Sequence, residues 1–237
     1  MRSRYQFCAR LFQGSVSEIF LVYDHIQEQC RVLKRIIKHH NNYSDSYLFK
    51  IYKREIQMLG WLKADFIPNL IEAFEEEFNY CIVMEYIPGK PLSYYCGNKV
   101  NEECKPWYMC LAEHLRTLHR QGVVHLDIKP QNIIVWKNQL FLIDFANSCF
   151  LFEPEIMTGI SAGYAPMEAG TMEADERSDI YSFGKTCYVL RHGCFPEANK
   201  NPDELDTIFL RCFRDQKQDR YANMAEVIKE LELLCLG

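Results

Sequence analysis

The stretch VVHLDIKPQNIIV, residues 123–135, places charged side chains between two short apolar segments. Asp127, Lys129 and Asn132 are flanked on both sides by β-branched residues of the kind that form buried strands. A charged group inside a protein is costly unless it has a partner. A helical segment that ends at Gly122 precedes the stretch. We therefore expect a loop whose apolar flanks anchor it while its polar side chains line a site.

A second carboxylate follows twelve residues after Asn132. Asp144 comes at the end of the apolar run LFLIDF, again where burial requires a partner. If the two strands around this region form a hairpin, Asp127, Lys129, Asn132 and Asp144 converge. Mg²⁺ prefers such oxygen ligands and shares them with substrate phosphates. The set predicts that Asn132 and Asp144 hold the metal, Asp127 accepts the proton of an attacking hydroxyl, and Lys129 lies near the transferred phosphate.

Each of these residues has an ordinary interpretation when taken alone. A single Asp-x-Lys is most often part of a surface turn. The conjunction His-x-Asp-x-Lys-x-x-Asn, followed at this spacing by apolar-Asp-Phe, is specific, and we put a chance origin below about 1 in 20.

The hydrophobic pattern predicts an α+β fold with a strand-rich first part and a helical second part. We expect one domain made of an N-lobe (1–86), a hinge (87–90) and a C-lobe (91–237), and clefts between lobes commonly bind ligands. The predicted strands cover 4–13, 17–25, 29–37, 69–77 and 79–87, with short strands around the opening stretch. The predicted helices cover 45–63, 101–122 and three segments beyond residue 175.

Composition narrows the classes of protein. The net charge of −5 over 237 residues, without a basic run, argues against a nucleic-acid partner. The eleven cysteines contain no Cys-x-x-Cys, which favours reduced, mostly buried thiols in the cytoplasm over a disulfide framework or a zinc site. We expect no signal peptide and no membrane segment, since no apolar run approaches the required length.

The motifs HLDIKPQN, IDFA, VLK and YAPME resemble the motif set of the protein kinase family, in order and across nearly the whole chain. The resemblance implies a two-lobed, compact bacterial-type serine/threonine protein kinase that uses ATP and Mg²⁺ on an unknown protein substrate. DIKPQN is similar to serine/threonine rather than tyrosine kinases. Lys129, two residues after the acid, argues against the antibiotic and choline kinases, so a small-molecule phosphotransferase is the weaker alternative.

The family's third-strand lysine corresponds to Lys34, and the strand pattern supports this independently. Strand alternation puts Lys34 on one face with Cys30, Val32 and Ile36, where it is the charged exception. A helical stripe of Leu48, Tyr52, Glu55, Leu59 and Leu62 likewise contains one acid. The resemblance implies that Lys34 and Glu55 pair and position the ATP α- and β-phosphates.

The resemblance also implies the residues around the nucleotide. The segment CIVMEYI corresponds to the hinge, with Met84 as the residue before it and the backbones of Glu85 and Ile87 bonding adenine. The other residues expected at the nucleotide are Leu11, Gly14, Ile19, Val32 and Ile134. The same residues would serve as ordinary core hydrophobes.

Further motifs imply structural contacts. Glu168 of YAPME is expected to pair with Arg220, and Asp179 is expected to hold the backbone of the catalytic loop. These three residues favour a protein kinase over a distant phosphotransferase.

The chain departs from the family pattern at several positions. FQGSVS, residues 12–17, keeps only Gly14 of the three glycines, so phosphate contact is expected to be looser. Ala146 replaces the glycine after Asp-Phe, and alanine adopts positive φ with difficulty. These changes make an ATP-binding pseudokinase or scaffold the main alternative. The residues expected to carry the chemistry are nevertheless all present: Lys34, Glu55, Asp127, Lys129, Asn132 and Asp144.

Leu126 replaces the arginine that normally contacts an activation-loop phosphate. The segment 147–167 has no lysine or arginine to take over that contact. We therefore expect activity without activation-loop phosphorylation; Thr158 and Ser161 are the nearest acceptors, and Ser161 is expected to bond Asp127 and Lys129 instead. The sequence leaves the oligomeric state open.

Overall fold

The computed structural model describes residues 4–97, 105–153, 163–196 and 202–236. The chain divides into two compact units, residues 1–88 and 89–237. The boundary falls inside the segment 87–90 that the sequence suggests as a hinge.

The first unit is a five-stranded antiparallel sheet with one long helix. The strand order is β1-β2-β3-β5-β4, so neighbours in sequence pair except where α1 separates β3 from β4. The predicted strands and helix are confirmed, and the helix ends two residues earlier than predicted. The elements are β1 (Tyr5–Gln13), β2 (Ser17–Asp24), β3 (Gln29–Ile37), α1 (Asp45–Trp61), β4 (Leu70–Glu75) and β5 (Asn79–Glu85).

The two faces of this sheet carry different groups. One face holds an apolar cluster of Tyr5, Val22, Leu33, Cys81 and Val83. Lys34 alternates with Leu33 along β3, so it lies on the opposite face. The stripe predicted for α1 is buried throughout: Leu48, Tyr52, Glu55, Leu59 and Leu62 are each at most 7% exposed.

The described part of the second unit contains four longer helices and short strands. Its elements are β6 (Lys90–Pro91), α2 (Lys105–Arg120), β7 (Val123–Val124), β8 (Ile133–Trp136), β9 (Gln139–Leu142), β10 (Cys149–Phe150), α3 (Glu176–His192), α4 (Glu204–Cys212) and α5 (Met224–Leu236). Of the helix predicted over 101–122, residues 101–104 lie outside the described residues. The helix ends before Gly122, whose φ of 75° suits glycine after a helix and whose N–H donates to the His119 carbonyl.

Two small antiparallel strand pairs lie at the two ends of the segment 123–135. β8 and β9 form the predicted hairpin, with Ile133 opposite Leu142, and β7 pairs with β10. A capping box at Asp175 and Ser178 begins α3, which packs against α4 and β7.

No helix among the described residues is both long and apolar enough to cross a bilayer. None of the nine cysteines whose side chains the structure describes forms a disulfide. The expectation that the thiols are mostly buried is wrong for Cys8, Cys30 and Cys194, which are exposed. Cys30 lies beside the β2–β3 turn, where a strand residue is not covered.

Candidate active site

Lys34 and Glu55 form a buried ion pair in the first unit. The Lys34 Nζ lies 2.6 Å from Glu55 Oε2, and the two side chains are 7% and 1% exposed. The predicted contact is confirmed, while its role toward ATP stays a prediction.

The strand register places four predicted nucleotide residues on one sheet face. Ile19 is opposite Lys34 across β2 and β3, and Val32 is opposite Met84 across β3 and β5. Directly paired residues project to the same side, as do residues two apart in one strand. Ile19, Val32, Lys34 and Met84 therefore share the face opposite the apolar cluster.

The turn between β1 and β2 differs from an open glycine-rich loop. Gly14 N–H donates to the Ser17 carbonyl at 2.8 Å, which closes the turn. The Phe12 ring lies so close that a Cβ on Gly14 would be 3.1 Å from it. Leu11 lies at an irregularity of β1 and is exposed, and Phe12 is opposite Ile19. Phe12, which stands where the family pattern has a glycine, thus lies against Gly14 in this turn.

Glu85, the last residue of β5, bonds to Asn69 through both its backbone and its side chain. The Glu85 N–H donates to the Asn69 carbonyl at 2.9 Å, and the Glu85 carboxylate accepts from the Asn69 side chain at 2.8 Å. The Glu85 N–H is therefore already used by a contact within the first unit. Ile87 and Ile134 are half-buried, and Ile134 is opposite Phe141 in the β8–β9 hairpin.

Three of the predicted catalytic residues meet in the loop between β7 and β8. The Asp127 carboxylate, 4% exposed, accepts from Lys129 Nζ at 2.9 and 3.1 Å and from Asn132 Nδ2 at 2.9 Å. Asn132 Nδ2 also donates to the Asp127 carbonyl at 2.9 Å. Lysine therefore balances the charge of the acid directly, and the amide fixes its orientation.

Buried polar groups from α3 and the β10 region hold this loop. Asp179 accepts from the backbone N–H groups of His125 and Leu126, both at 2.8 Å, which confirms its predicted role. Ser148 Oγ donates to the His125 carbonyl at 3.1 Å, and Thr186 Oγ1 donates to the Ile128 carbonyl at 3.4 Å. The loop is therefore tied to the second unit from several directions.

Asp144 lies at the end of β9, two residues after Leu142. The Ile143 N–H donates to the Asn132 carbonyl at 3.0 Å, so the hairpin brings the backbones before Asp144 and at Asn132 together. Asp144 has a φ of 67°, a left-handed conformation that aspartate tolerates better than most residues. Ala146 is not among the residues with positive φ, so its position does not require glycine.

The donor set fits a magnesium ion bound together with phosphates. Both N–H groups of the Asn132 amide are used within the loop, which leaves its oxygen for a ligand, and Asp144 supplies a carboxylate. No group of three His, Cys, Asp or Glu side chains suitable for a metal occurs in the described part of the chain. A site with two protein ligands that shares the ion with phosphates is the arrangement that Mg²⁺ favours.

His125 is fully buried beside the loop. Its ring lies 4.6 Å from the Phe145 ring, and its Nδ1 accepts from the Asp127 N–H at 3.3 Å. Burial lowers the pKa of His125 below its usual value, so the neutral ring is favoured.

The predicted pair of Glu168 and Arg220 is also confirmed. Arg220 Nη1 lies 2.5 Å from Glu168 Oε1, and Nη2 lies 3.3 Å from Oε2. Thr158 and Ser161, the predicted acceptors of the activation segment, lie outside the described residues.

Comparison with known proteins places this site in a family. The protein kinase domain matches residues 5–236. A probable serine/threonine-protein kinase of Clostridium acetobutylicum is 26% identical over 98% of this chain and 40% of its own length. A serine/threonine-protein kinase of Myxococcus xanthus is 26% identical over 81% of this chain and 25% of its own length. Serine/threonine-protein kinase B of a Synechocystis species is 30% identical over 66% of this chain and 31% of its own length.

This chain therefore spans less than half the length of these curated relatives. The match of the kinase domain extends over both units, and it includes the Lys34–Glu55 pair, the Asp127 loop and the Glu168–Arg220 pair. The chain belongs to the protein kinase family.

Proposed function

We propose that the chain is a serine/threonine protein kinase that transfers the γ-phosphate of ATP to a protein hydroxyl. The observation that carries the proposal is the buried Asp127 carboxylate, held by Lys129 and Asn132. A positioned carboxylate of this kind can accept the proton of an attacking hydroxyl. The choice of serine and threonine rests on the names of the relatives and on the sequence DIKPQN.

The other residues supply positions and charges. Lys34, fixed by Glu55, is assigned to the α- and β-phosphates, and Lys129 to the charge on the transferred phosphate. Asn132 and Asp144 would hold Mg²⁺, which neutralises charge on the phosphates when bound. Ile19, Val32 and Met84 provide an apolar sheet face for the adenine ring. Further contacts to the nucleotide are assigned to Leu11, Gly14, Ile87, Ile134 and the Glu85 carbonyl.

Three related proposals accompany this function. The two units correspond to an N-lobe and a C-lobe joined at residues 87–90. The enzyme needs no activation-loop phosphate, because Leu126 offers no cation at the position where one is used. The lack of a disulfide among the cysteines that the structure describes favours a cytoplasmic location. The substrate is a protein rather than a nucleic acid.

The test combines nucleotide binding with single-turnover transfer by the purified chain. We expect Mg·ATP binding and labelling of serine or threonine in a generic basic protein, with labelling abolished by Asp127→Asn. Binding without transfer would overturn the proposal in favour of a pseudokinase or scaffold. Transfer to a small alcohol but not to protein would favour a small-molecule phosphotransferase, and the absence of both binding and transfer would indicate an interaction domain.

A further inference from the structure

Phe12 presents an aromatic ring on the sheet face assigned to the nucleotide. It is directly opposite Ile19 across β1 and β2, and Ile19 is opposite Lys34 across β2 and β3. Directly paired residues project to the same side of a sheet, so these three side chains form one row on the face opposite the apolar cluster. Phe12 is 60% exposed, and its ring is therefore open to a ligand on that face.

The backbone of the turn after Phe12 is partly used by contacts within the first unit. The Gly14 N–H donates to the Ser17 carbonyl at 2.8 Å, and the Val16 carbonyl accepts from the Ile37 N–H at 3.0 Å. Turns that bind phosphates do so through backbone N–H groups that point at the ligand. Because the Gly14 N–H already has an acceptor, this turn offers less to a phosphate than an open glycine-rich loop does.

Gly14 leaves the room that the Phe12 ring occupies. A Cβ on Gly14 would lie 3.1 Å from Cε1 of Phe12 and 3.2 Å from the Ser17 carbonyl oxygen. Optimal contacts between carbon atoms are at about 3.5–4 Å, so a side chain at this position would push the ring away. The turn thus carries an apolar ring where the family pattern has a glycine, and the glycine that it keeps accommodates that ring.

We propose that Phe12 is a specificity-determining residue whose ring stacks on the adenine ring of the nucleotide. The inference rests on the proposed function, since it takes ATP as the nucleotide. Every base has an apolar π-face, and stacking on an aromatic side chain contributes about tenfold or more to affinity. The turn therefore recognises the nucleoside, while Lys34 and the proposed metal ligands hold the phosphates.

The first experiment measures the affinities of adenosine, Mg·ADP and Mg·ATP by calorimetry, which needs no catalysis. We expect Phe12→Ala to weaken all three by about tenfold, because the lost contact is to the part that they share. Phe12→Tyr keeps the ring and should stay within about twofold of wild type. Phe7→Ala is the matched control: Phe7 lies on the same strand but opposite Val22 of the apolar cluster, so all three affinities should be unchanged.

The second experiment uses fluorescence to detect the stacking directly. In Phe12→Trp the indole replaces the ring that is proposed to contact adenine, and we expect saturating adenosine to change the emission beyond the change seen in wild type. Phe7→Trp places an indole on the other face of the same strand, and its response to adenosine should equal that of wild type.

The outcomes separate this inference from the proposed function. An unchanged affinity for adenosine in Phe12→Ala, a loss confined to Mg·ATP, or an equal emission change in Phe7→Trp would each overturn the role of Phe12. Phosphate transfer by a wild-type protein that does not bind adenosine would also overturn it and leave the proposed function standing. If wild type binds adenosine but transfers no phosphate, the proposed function fails, while the Phe12 variants still decide whether the ring contacts the base.

Discussion

Lys34 Nζ lies 2.6 Å from Glu55 Oε2, and the two side chains are only 7% and 1% exposed. Lys34 on β3 and Glu55 on α1 are twenty-one positions apart in the sequence, and each compensates the buried charge of the other. Removing one partner of such a pair leaves a charge without compensation, whereas replacing both with apolar groups is often tolerated.

Lys34→Met should reduce transfer far more than adenine binding, because the proposed base contacts remain. It should also destabilise the protein by about 3 kcal/mol, since Glu55 stays buried without its cation. Denaturant unfolding and turnover at saturating ATP measure the two effects. The double variant Lys34→Met/Glu55→Leu should regain stability but not transfer; full turnover in the single variant would refute the assignment of Lys34.

Asp127→Asn and Asp144→Asn should separate the proton acceptor from the metal ligand. Asp127→Asn should lower the rate of transfer by about 10²–10⁴ while ATP affinity stays near normal. Asp144→Asn should raise the Mg²⁺ concentration needed for activity, because it removes one proposed ligand. Nucleotide titrations at several Mg²⁺ concentrations check both, and an equal loss of ATP affinity in the two variants would contradict the division of roles.

Thr158→Ala should keep activity, because Leu126 cannot contact a phosphate on the segment that contains Thr158. Phosphatase-treated enzyme should match untreated enzyme from the earliest time points. Ser161→Ala is a poorer test, since it also removes a hydroxyl expected to position Asp127. A lag that pre-incubation with Mg·ATP removes in wild type but not in Thr158→Ala would show that an activating phosphate is required.

Arg220→Lys should destabilise the second unit although it keeps the charge. The guanidinium contacts both Glu168 oxygens and donates to the carbonyls of Arg177, Arg214 and Asp215. One ammonium group cannot reach all of these acceptors, and we expect a loss of about 2–4 kcal/mol in the free energy of unfolding. Arg214→Lys, at an exposed position, is the control and should unfold like wild type.

The free energy of unfolding should depend on Asp24 below pH 4. The two hydrogen bonds from Arg4 lower the pKa of this buried carboxyl from 3.8 to about 2. Between these values the unfolded chain binds more protons, so the contribution of Asp24 is present above pH 4 and is lost as the pH falls toward 2. Asp24→Asn should flatten this part of the pH profile, whereas Asp65→Asn, in an exposed turn, should leave it as in wild type. A profile unchanged by Asp24→Asn would contradict the assignment.

Much of the fold follows from local patterns in the sequence. The stripe on α1 and the strands of the first unit appear where period and turn residues predict them, because hydrophobic period and backbone preference act over a few residues. The pair Lys34–Glu55 follows from a family resemblance together with charges on otherwise apolar faces, whereas the pair Glu168–Arg220 follows from the resemblance alone.

Other contacts in the structure have no signal in the local sequence. Nothing around His119 distinguishes it from other helix histidines, and its partner lies sixty positions away. The exposure of Cys30, the closeness of Phe12 to Gly14 and the use of the Glu85 N–H by Asn69 likewise have no local pattern.

The sequence by itself thus determined the helices and strands, the positions of the proposed catalytic residues along the chain, and the charges that need partners. Only the tertiary structure decided which partner each charge takes and which backbone groups are already used. The reason is physical: an element forms from residues close in sequence, whereas a buried carboxylate such as Asp179 is satisfied by whichever donors packing brings within hydrogen-bond distance.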